Sequence, residues 1–220
     1  MATETLTRER ILESAEEVLR RYGPAKANVV DVARALRVSH GSVYRHFPSK
    51  AALRDAVNAR WLESISEPLE AIAASAGKRT APRRLERWLD TLVPAQRRKA
   101  LDDPELFATY VELAADAREV VRAHVQTLVD QLTRIVADGV AAGEFAVDDP
   151  RVAARAAFDA TSRFHNPVHA AEWADLQIDS AYGAVRSLVL RGLAGSTPGR
   201  RAPAVRRTPS GSPRGRQPSP

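Results

Sequence analysis

Cysteine is absent from the 220 residues, which excludes disulfides and thiolate metal centres and suits a reducing compartment. No apolar run approaches the roughly 18–20 residues that span a bilayer. The opening residues, Met1 to Arg10, are polar and charged, unlike a secretory leader. The expectation is a cytoplasmic protein with no membrane partner. Period-two alternation is missing over any useful length, so no sheet is expected. Lysine is scarce, four against 29 arginines, a bias that fits GC-rich coding DNA better than selection for guanidinium chemistry. Reactive signatures are missing as well. There is no Gly-rich phosphate loop, no His-Glu-x-x-His and no Gly-x-Ser-x-Gly, so neither enzymatic chemistry nor a resident cofactor is expected.

What is there is charge, unevenly spread. The net charge is +6, and residues 195–220 hold six arginines and no acid, which accounts for all of it. Residues 1–54 carry ten Lys/Arg against six Asp/Glu, leaving an acidic balance over 55–194. A basic front on an acidic body fits nucleic-acid binding at one end and a different task at the other. Beyond Gly195, Pro, Gly, Ser and Arg dominate. Such composition cannot offset the entropy of ordering a backbone, so 195–220 reads as a disordered basic tail. A nonspecific DNA-tethering arm is the alternative to a bystander extension.

Residues 28–53 are the most informative stretch. Asn28 is a good N-cap, and Val29, Val32, Ala33 and Leu36 recur as one apolar helical face. Ser39 can cap a second helix whose inner side is Val43 and Phe47. Pro48 ends it and Ser49 caps a third helix from Lys50. Two short helices joined by a tight turn make a helix-turn-helix, whose second helix can enter the major groove of double-stranded DNA. With Val43 and Phe47 turned inward, that helix offers Ser39, His40, Ser42, Tyr44, Arg45 and His46, groups that reach phosphates and base edges. Gly41 lets backbone approach backbone. Lys50 opposes the helix dipole in a first turn, which a phosphate partner explains better than helix stability does. An ordinary solvated surface helix is the alternative to this reading.

Asn28, Val32-Ala33, Val38-Ser39, Tyr44 with Phe47, and Ser49-Lys50 together resemble the DNA-binding domain of the TetR/AcrR family of bacterial transcriptional regulators. The resemblance implies phosphate contacts from Asn28, Ser39, Tyr44 and Lys50, with Val29 beside them, and base reading by His40, Gly41, Ser42 and Arg45. One departure stands out: Arg37 occupies the family's turn glycine, which carries a steric cost if that residue is left-handed.

The remainder reads as helical throughout, about nine helices in all, giving an all-α chain. The expected division is a three-helix DNA-binding domain over 1–54, a helical ligand-binding and dimerisation domain over 55–194, and the tail. Helix 1 runs from Thr5 or Thr7 to Tyr22, and helix 4 carries Leu53, Val57, Trp61 and Ile65, with Pro68 as a kink or a restart. A further helix ends near Pro94. Asp103-Pro104 and Asp149-Pro150 open helices over 105–115 and up to Phe164, 118–142 is the longest, and the last runs over 174–192.

The resemblance implies a homodimer built on helices near 150–164 and 174–192, and a small-molecule effector whose binding moves helix 4. Candidate pocket residues are Trp88, Leu92, Phe107, Tyr110, Leu113, His124, Leu128, Phe158, Phe164 and His165, although an aromatic at helical spacing is more often plain core. His124, His165 and His169 also admit a metal sensor, since His165 and His169 stand four apart. The favoured reading is a ligand-responsive repressor. Its rivals are a metal-responsive regulator and an architectural DNA-binding protein with no small effector.

Overall fold

The computed structural model describes residues 5–26 and 28–195. Nine α-helices and no strand occur among them: α1 (Arg8–Lys26), α2 (Val29–Ala35), α3 (His40–His46), α4 (Lys50–Ala73), α5 (Ala81–Asp102), α6 (Pro104–Asp116), α7 (Arg118–Ala141), α8 (Pro150–Ala160) and α9 (Ile178–Ala194). Two 3-10 segments, Ser162–Phe164 and Pro167–Glu172, join α8 to α9. The expected tail falls outside the described residues except for Gly195.

The helix starts follow the side chains that cap them. Asn28 Oδ1 accepts from the amides of Val30 (2.9 Å) and Asp31 (3.1 Å). Ser39 and Ser49 cap α3 and α4 through the amides of Ser42 and Ala52. Asp103 and Asp149 do the same for α6 and α8. Each satisfies donors that the first turn leaves without an intrahelical partner.

Several boundaries differ from the sequence reading. α4 and α5 continue through Pro68 and Pro94 without a restart. Both prolines are exposed, so the carbonyl each one frees can meet water, while Ile65, Leu69, Leu92 and Val93 hold the inner faces in the core. The helix expected to reach Phe164 stops at Ala160 and continues as 3-10 turns. α9 begins at Ile178, which leaves Leu176 fully exposed rather than on its apolar stripe. Tyr22, assigned to the stripe of α1, is 46% exposed because Gly23 (φ 70°) breaks the helix right after it.

The core falls into two clusters. Ile11, Val18, Leu19, Val32, Val43, Phe47, Leu53 and Val57 make the first, joining α1–α3 to the start of α4. The second fills the space between the rest of α4 and α5, α7, α8 and α9 around Trp88, Leu132, Ile135 and Val136. Trp61 packs against both. Two polar devices lock the second cluster. Arg84, 2% exposed, donates to the carbonyls of Ile72 and Ala73 at the C-terminal end of α4 and to Asp138 of α7 (2.6 Å). A guanidinium there satisfies terminal carbonyls and opposes the negative end of the helix dipole. The indole N–H of Trp88 donates to Gln131 (3.0 Å), whose amide in turn donates to Ser66 O (3.0 Å).

The α2–α3 turn is a Schellman motif. Val38 N donates to Ala33 O and Arg37 N to Arg34 O, with Arg37 left-handed at φ 56°. Arg37 is the one non-glycine with positive φ among the described residues. The motif prefers glycine at that position, because a Cβ there crowds the carbonyl. Arg37→Gly is expected to raise stability by about 0.5–1 kcal/mol, the left-handed penalty less the entropy glycine adds to the unfolded chain. A urea midpoint that stays put or falls would show that the arginine pays no strain.

Candidate nucleic-acid interface and ligand cavity

Seven residues are few for a stable helix, so α3 is held from outside. Val43 and Phe47 are buried at 0% and 1% exposure. The guanidinium of Arg8 in α1 lies 4.2 Å from the Phe47 ring centroid and donates to His46 O (3.2 Å), fastening the end of α3. The opposite side carries His40, Gly41, Tyr44 and Arg45, all exposed, with Ser42 and His46 partly so. Ser39, Ser42 and Arg45 form a chain three residues apart. The hydroxyls stand 2.9 Å from each other and Arg45 Nη2 donates to Ser42 Oγ at 3.1 Å. The arginine is thereby partly ordered before any partner arrives, which lowers the entropy cost of a contact.

Nine of the ten residues assigned to this face are exposed or partly exposed. Val29 is the exception. It is 2% exposed and belongs to the first cluster, so it supports the face from within. Asn28 differs in role, since its Oδ1 is occupied by the cap. A Cβ on Gly41 would meet nothing nearer than Ser39 Oγ at 3.8 Å. Within the chain, therefore, nothing requires glycine there.

Tyr110 and Leu113, expected in a pocket, are buried in the first cluster against α1. Tyr110 stacks on Trp61 with centroids 4.6 Å apart and planes 6° from parallel. Ion pairs tie the same elements together: Arg60 to Glu13 and Glu16, Arg54 to Asp116, and Arg20 to Asp103. Phe107 and Tyr110 border an open cleft of about 630 Å³ between α1, α4, α5 and α6, rimmed by Arg20, Arg60, Lys99, Glu16 and Asp103.

The opposite face of α6 borders a second cavity of about 350 Å³. Val111, Ala114 and Ala115 of α6 meet Trp61 and Leu62 of α4, Gln96 of α5, Val121, His124, Val125 and Leu128 of α7, and Phe158, His165 and Pro167 beyond. Of the candidate pocket residues, His124, Leu128, Phe158 and His165 converge here. Trp88 and Leu92 are solid core, and Phe164 packs edge-on against Tyr182. Trp88 was misplaced because its polar atom is satisfied by Gln131, a pairing across 43 residues that sequence spacing does not reveal. Gln96 was missed altogether, though a glutamine on the apolar side of an amphipathic helix is the available signal.

The histidines do not assemble a metal site. Among the described residues no group of three or more His, Asp or Glu converges to hold an ion. His169 Nδ1 pairs with Glu172 Oε1 at 2.8 Å. His165 Nε2 sits 3.4 Å from Phe158 O and from Thr161 Oγ1, with the Phe158 ring 4.7 Å away. The turn at Asn166-Pro167 removes the shared helical face that the four-residue spacing assumed.

A short outward helix fastened by its neighbours, set before a helical body that carries an apolar cavity, defines a helix-turn-helix regulator with a ligand-binding domain. Residues 11–57 match the family model described as bacterial regulatory proteins, tetR family, and residues 81–186 match tetracyclin repressor-like, C-terminal domain. The chain belongs to the TetR family of DNA-binding transcriptional regulators. No curated protein matches it in sequence. Among solved structures it is similar to SmeT, the repressor of the Stenotrophomonas maltophilia multidrug efflux pump SmeDEF, at 20% identity and TM-score 0.63 over 86% of this chain and 91% of that one. A protein of unknown function from Rhodococcus sp. RHA1 matches at 25% identity and TM-score 0.64, covering 89% of this chain and all of that one. RolR in complex with resorcinol matches at 17% identity and TM-score 0.56, over 84% and 86% of the two chains. No helix among the described residues is long and apolar enough to cross a membrane.

Burial lowers the pKa of His165 to about 4, against a slight opposing pull from its bond to Phe158 O. Folding thus favours the neutral ring. The stability this gives is complete above the ordinary histidine value near 6.5 and is lost as pH falls toward 4. Burial lowers His124 likewise, so melting temperature should decline from pH 6.5 to 4.5 through both groups, and His165→Gln should make that decline shallower. Parallel curves for the two proteins would show that His165 does not contribute.

Proposed function

We propose that the chain acts as a homodimeric repressor that releases its operator when a small molecule occupies the cavity between α4, α5, α6 and α7. The DNA contacts come from α3 and its flanks, with Arg45, His40, Ser42 and Gly41 at base edges and Ser39, Tyr44 and Lys50 at phosphates. The domain division at 54/55 is the working boundary, although α4 crosses it. The observation that carries the reading is the exposed Ser39–Ser42–Arg45 chain on a helix whose inner side, Val43 and Phe47, is buried in the first cluster. SmeT, described as a repressor, and RolR, described with bound resorcinol, lend support for repression and for a small effector.

The second copy is expected on α8 and α9. Val152 and Leu188 are 65% and 64% exposed, and Ala181, Val185, Val189 and Leu190 are only half-covered. An apolar face of this kind on two neighbouring helices suits a two-fold interface. Two-fold pairing would place two α3 helices one DNA turn apart, about 34–36 Å. An architectural role without an effector is the weaker reading, because a cavity of about 350 Å³ has no purpose in it.

Sequencing DNA fragments selected by the purified protein tests the reading directly: an inverted repeat is expected, and no enrichment would defeat it. On the selected operator, Arg45→Ala should cost about 1–3 kcal/mol and relax preference at one position per half-site. Lys50→Ala should weaken specific and random DNA alike. Gly41→Ala should leave the melting temperature unchanged or higher, yet weaken operator binding, because the intolerance lies in the approach of DNA. Full operator preference in Arg45→Ala would mean that α3 presents a different face.

A further inference from the structure

The cavity bordered by α4, α5, α6 and α7 contains no Asp, Glu, Lys or Arg among its lining residues. Its two histidines, His124 and His165, are held near pKa 4 by burial, so both rings are neutral at physiological pH. A charged ligand would thus leave water for a site offering no opposite charge, which is strongly unfavourable. The adjoining cleft at Arg20, Arg60 and Lys99 is the reverse case, rich in charge of both signs.

Two polar groups in the apolar cavity stand without protein partners. Gln96 is 5% exposed, and its Oε1 is buried with no hydrogen-bond donor. Such an acceptor costs free energy until one arrives. The terminal amide of a glutamine turns with a roughly two-fold preference, so either its oxygen or its NH₂ can meet a ligand. His124 makes no hydrogen bond to another residue among those described, and its neutral ring carries one donor and one acceptor. Two further polar liners are engaged within the chain. Asn166 Oδ1 accepts from Val168 N at 3.1 Å, and His165 Nε2 is turned to Phe158 O and Thr161.

We propose that the effector is an uncharged, compact ring compound bearing a hydroxyl group, which hydrogen-bonds to the Gln96 amide while its skeleton lies against Leu128, Val125 and Phe158. This rests on the reading of the cavity as the effector site. A hydroxyl serves because it both donates and accepts, matching either end of the amide. The volume, about 350 Å³, lies at the lower end of the roughly 300–1,000 Å³ typical of small-molecule sites. Specificity against the bare hydrocarbon comes from the amide, and specificity against the acid from the absence of cations.

Calorimetric titration of the full chain with 2-naphthol, naphthalene and 2-naphthoate at pH 7.5 tests this. 2-Naphthol is expected to bind about tenfold more tightly than naphthalene, the worth of one hydrogen bond, and more tightly still than 2-naphthoate. Gln96→Met, which keeps the length and removes the amide, should abolish the preference for 2-naphthol and leave naphthalene affinity unchanged. Ala114→Phe, which fills the cavity from α6, should abolish binding of all three. Tighter binding of 2-naphthoate, or an undiminished 2-naphthol preference in Gln96→Met, would overturn the proposal while leaving the cavity as a ligand site. Binding of none of the three, or equal binding by Ala114→Phe, would overturn both this proposal and the cavity's assignment.

Discussion

α4 belongs to two cores at once, and the rest of the molecule is arranged around that fact. Leu53 and Val57 lie in the cluster that supports the helix-turn-helix, while Leu62, Ile65, Leu69 and Ile72 lie in the cluster of the helical body. Its far end is pinned by Arg84, whose guanidinium is held between the last carbonyls of α4 and Asp138. Interiors packed to crystal-like density are poorly deformable, so α4 is held at both ends by packed cores. Asn58, midway along, is fully buried with both amide atoms unpartnered. A buried amide without partners is unfavourable, so the junction between the two cores is the least satisfied part of the helix.

α6 supplies a second connection that is harder to foresee. Tyr110 and Leu113 on one side complete the core beneath α1, and Val111, Ala114 and Ala115 on the other side wall the cavity. Trp61 closes the arrangement, stacked on Tyr110 and bordering the cavity itself. The DNA-reading unit therefore rests on helices whose reverse faces are the walls of a pocket.

Local signals carried most of the fold. Asn28, Ser39, Ser49, Asp103 and Asp149 were each legible as caps, because a cap is settled by a handful of neighbouring residues. Apolar periodicity gave the buried faces of α1 to α3, and through them the exposed face of α3. What local signals could not show was which helix meets which. Phe107, Tyr110 and Trp88 have the periodicity of any buried aromatic, and only the tertiary arrangement separates cleft, core and cavity. Proline misled where tertiary packing overrides it: Pro68 and Pro94 sit on solvent faces of helices held from the other side. The same limit hid Gln96, whose role depends on what surrounds it rather than on what precedes it.

A cavity between helices regulates DNA binding only if its occupant prefers one arrangement of those helices over another. A ligand that touched α7 and α8 alone would have little basis for such a preference, since neither contributes to the first core. Walls drawn from α4 and α6 change that. A skeleton pressed against Val111 and Ala114 meets α6 from behind the residues that seat α1, and contact with Trp61 reaches the stack on which Tyr110 rests. Moving a two-state equilibrium from 1:99 to 99:1 requires about 5.5 kcal/mol of differential affinity. Contacts confined to rigid walls cannot supply it, whereas contacts shared with α4 and α6 would differ between two arrangements of those helices. The location of the cavity, more than its chemistry, is what would let the proposed effector act on the DNA-reading unit.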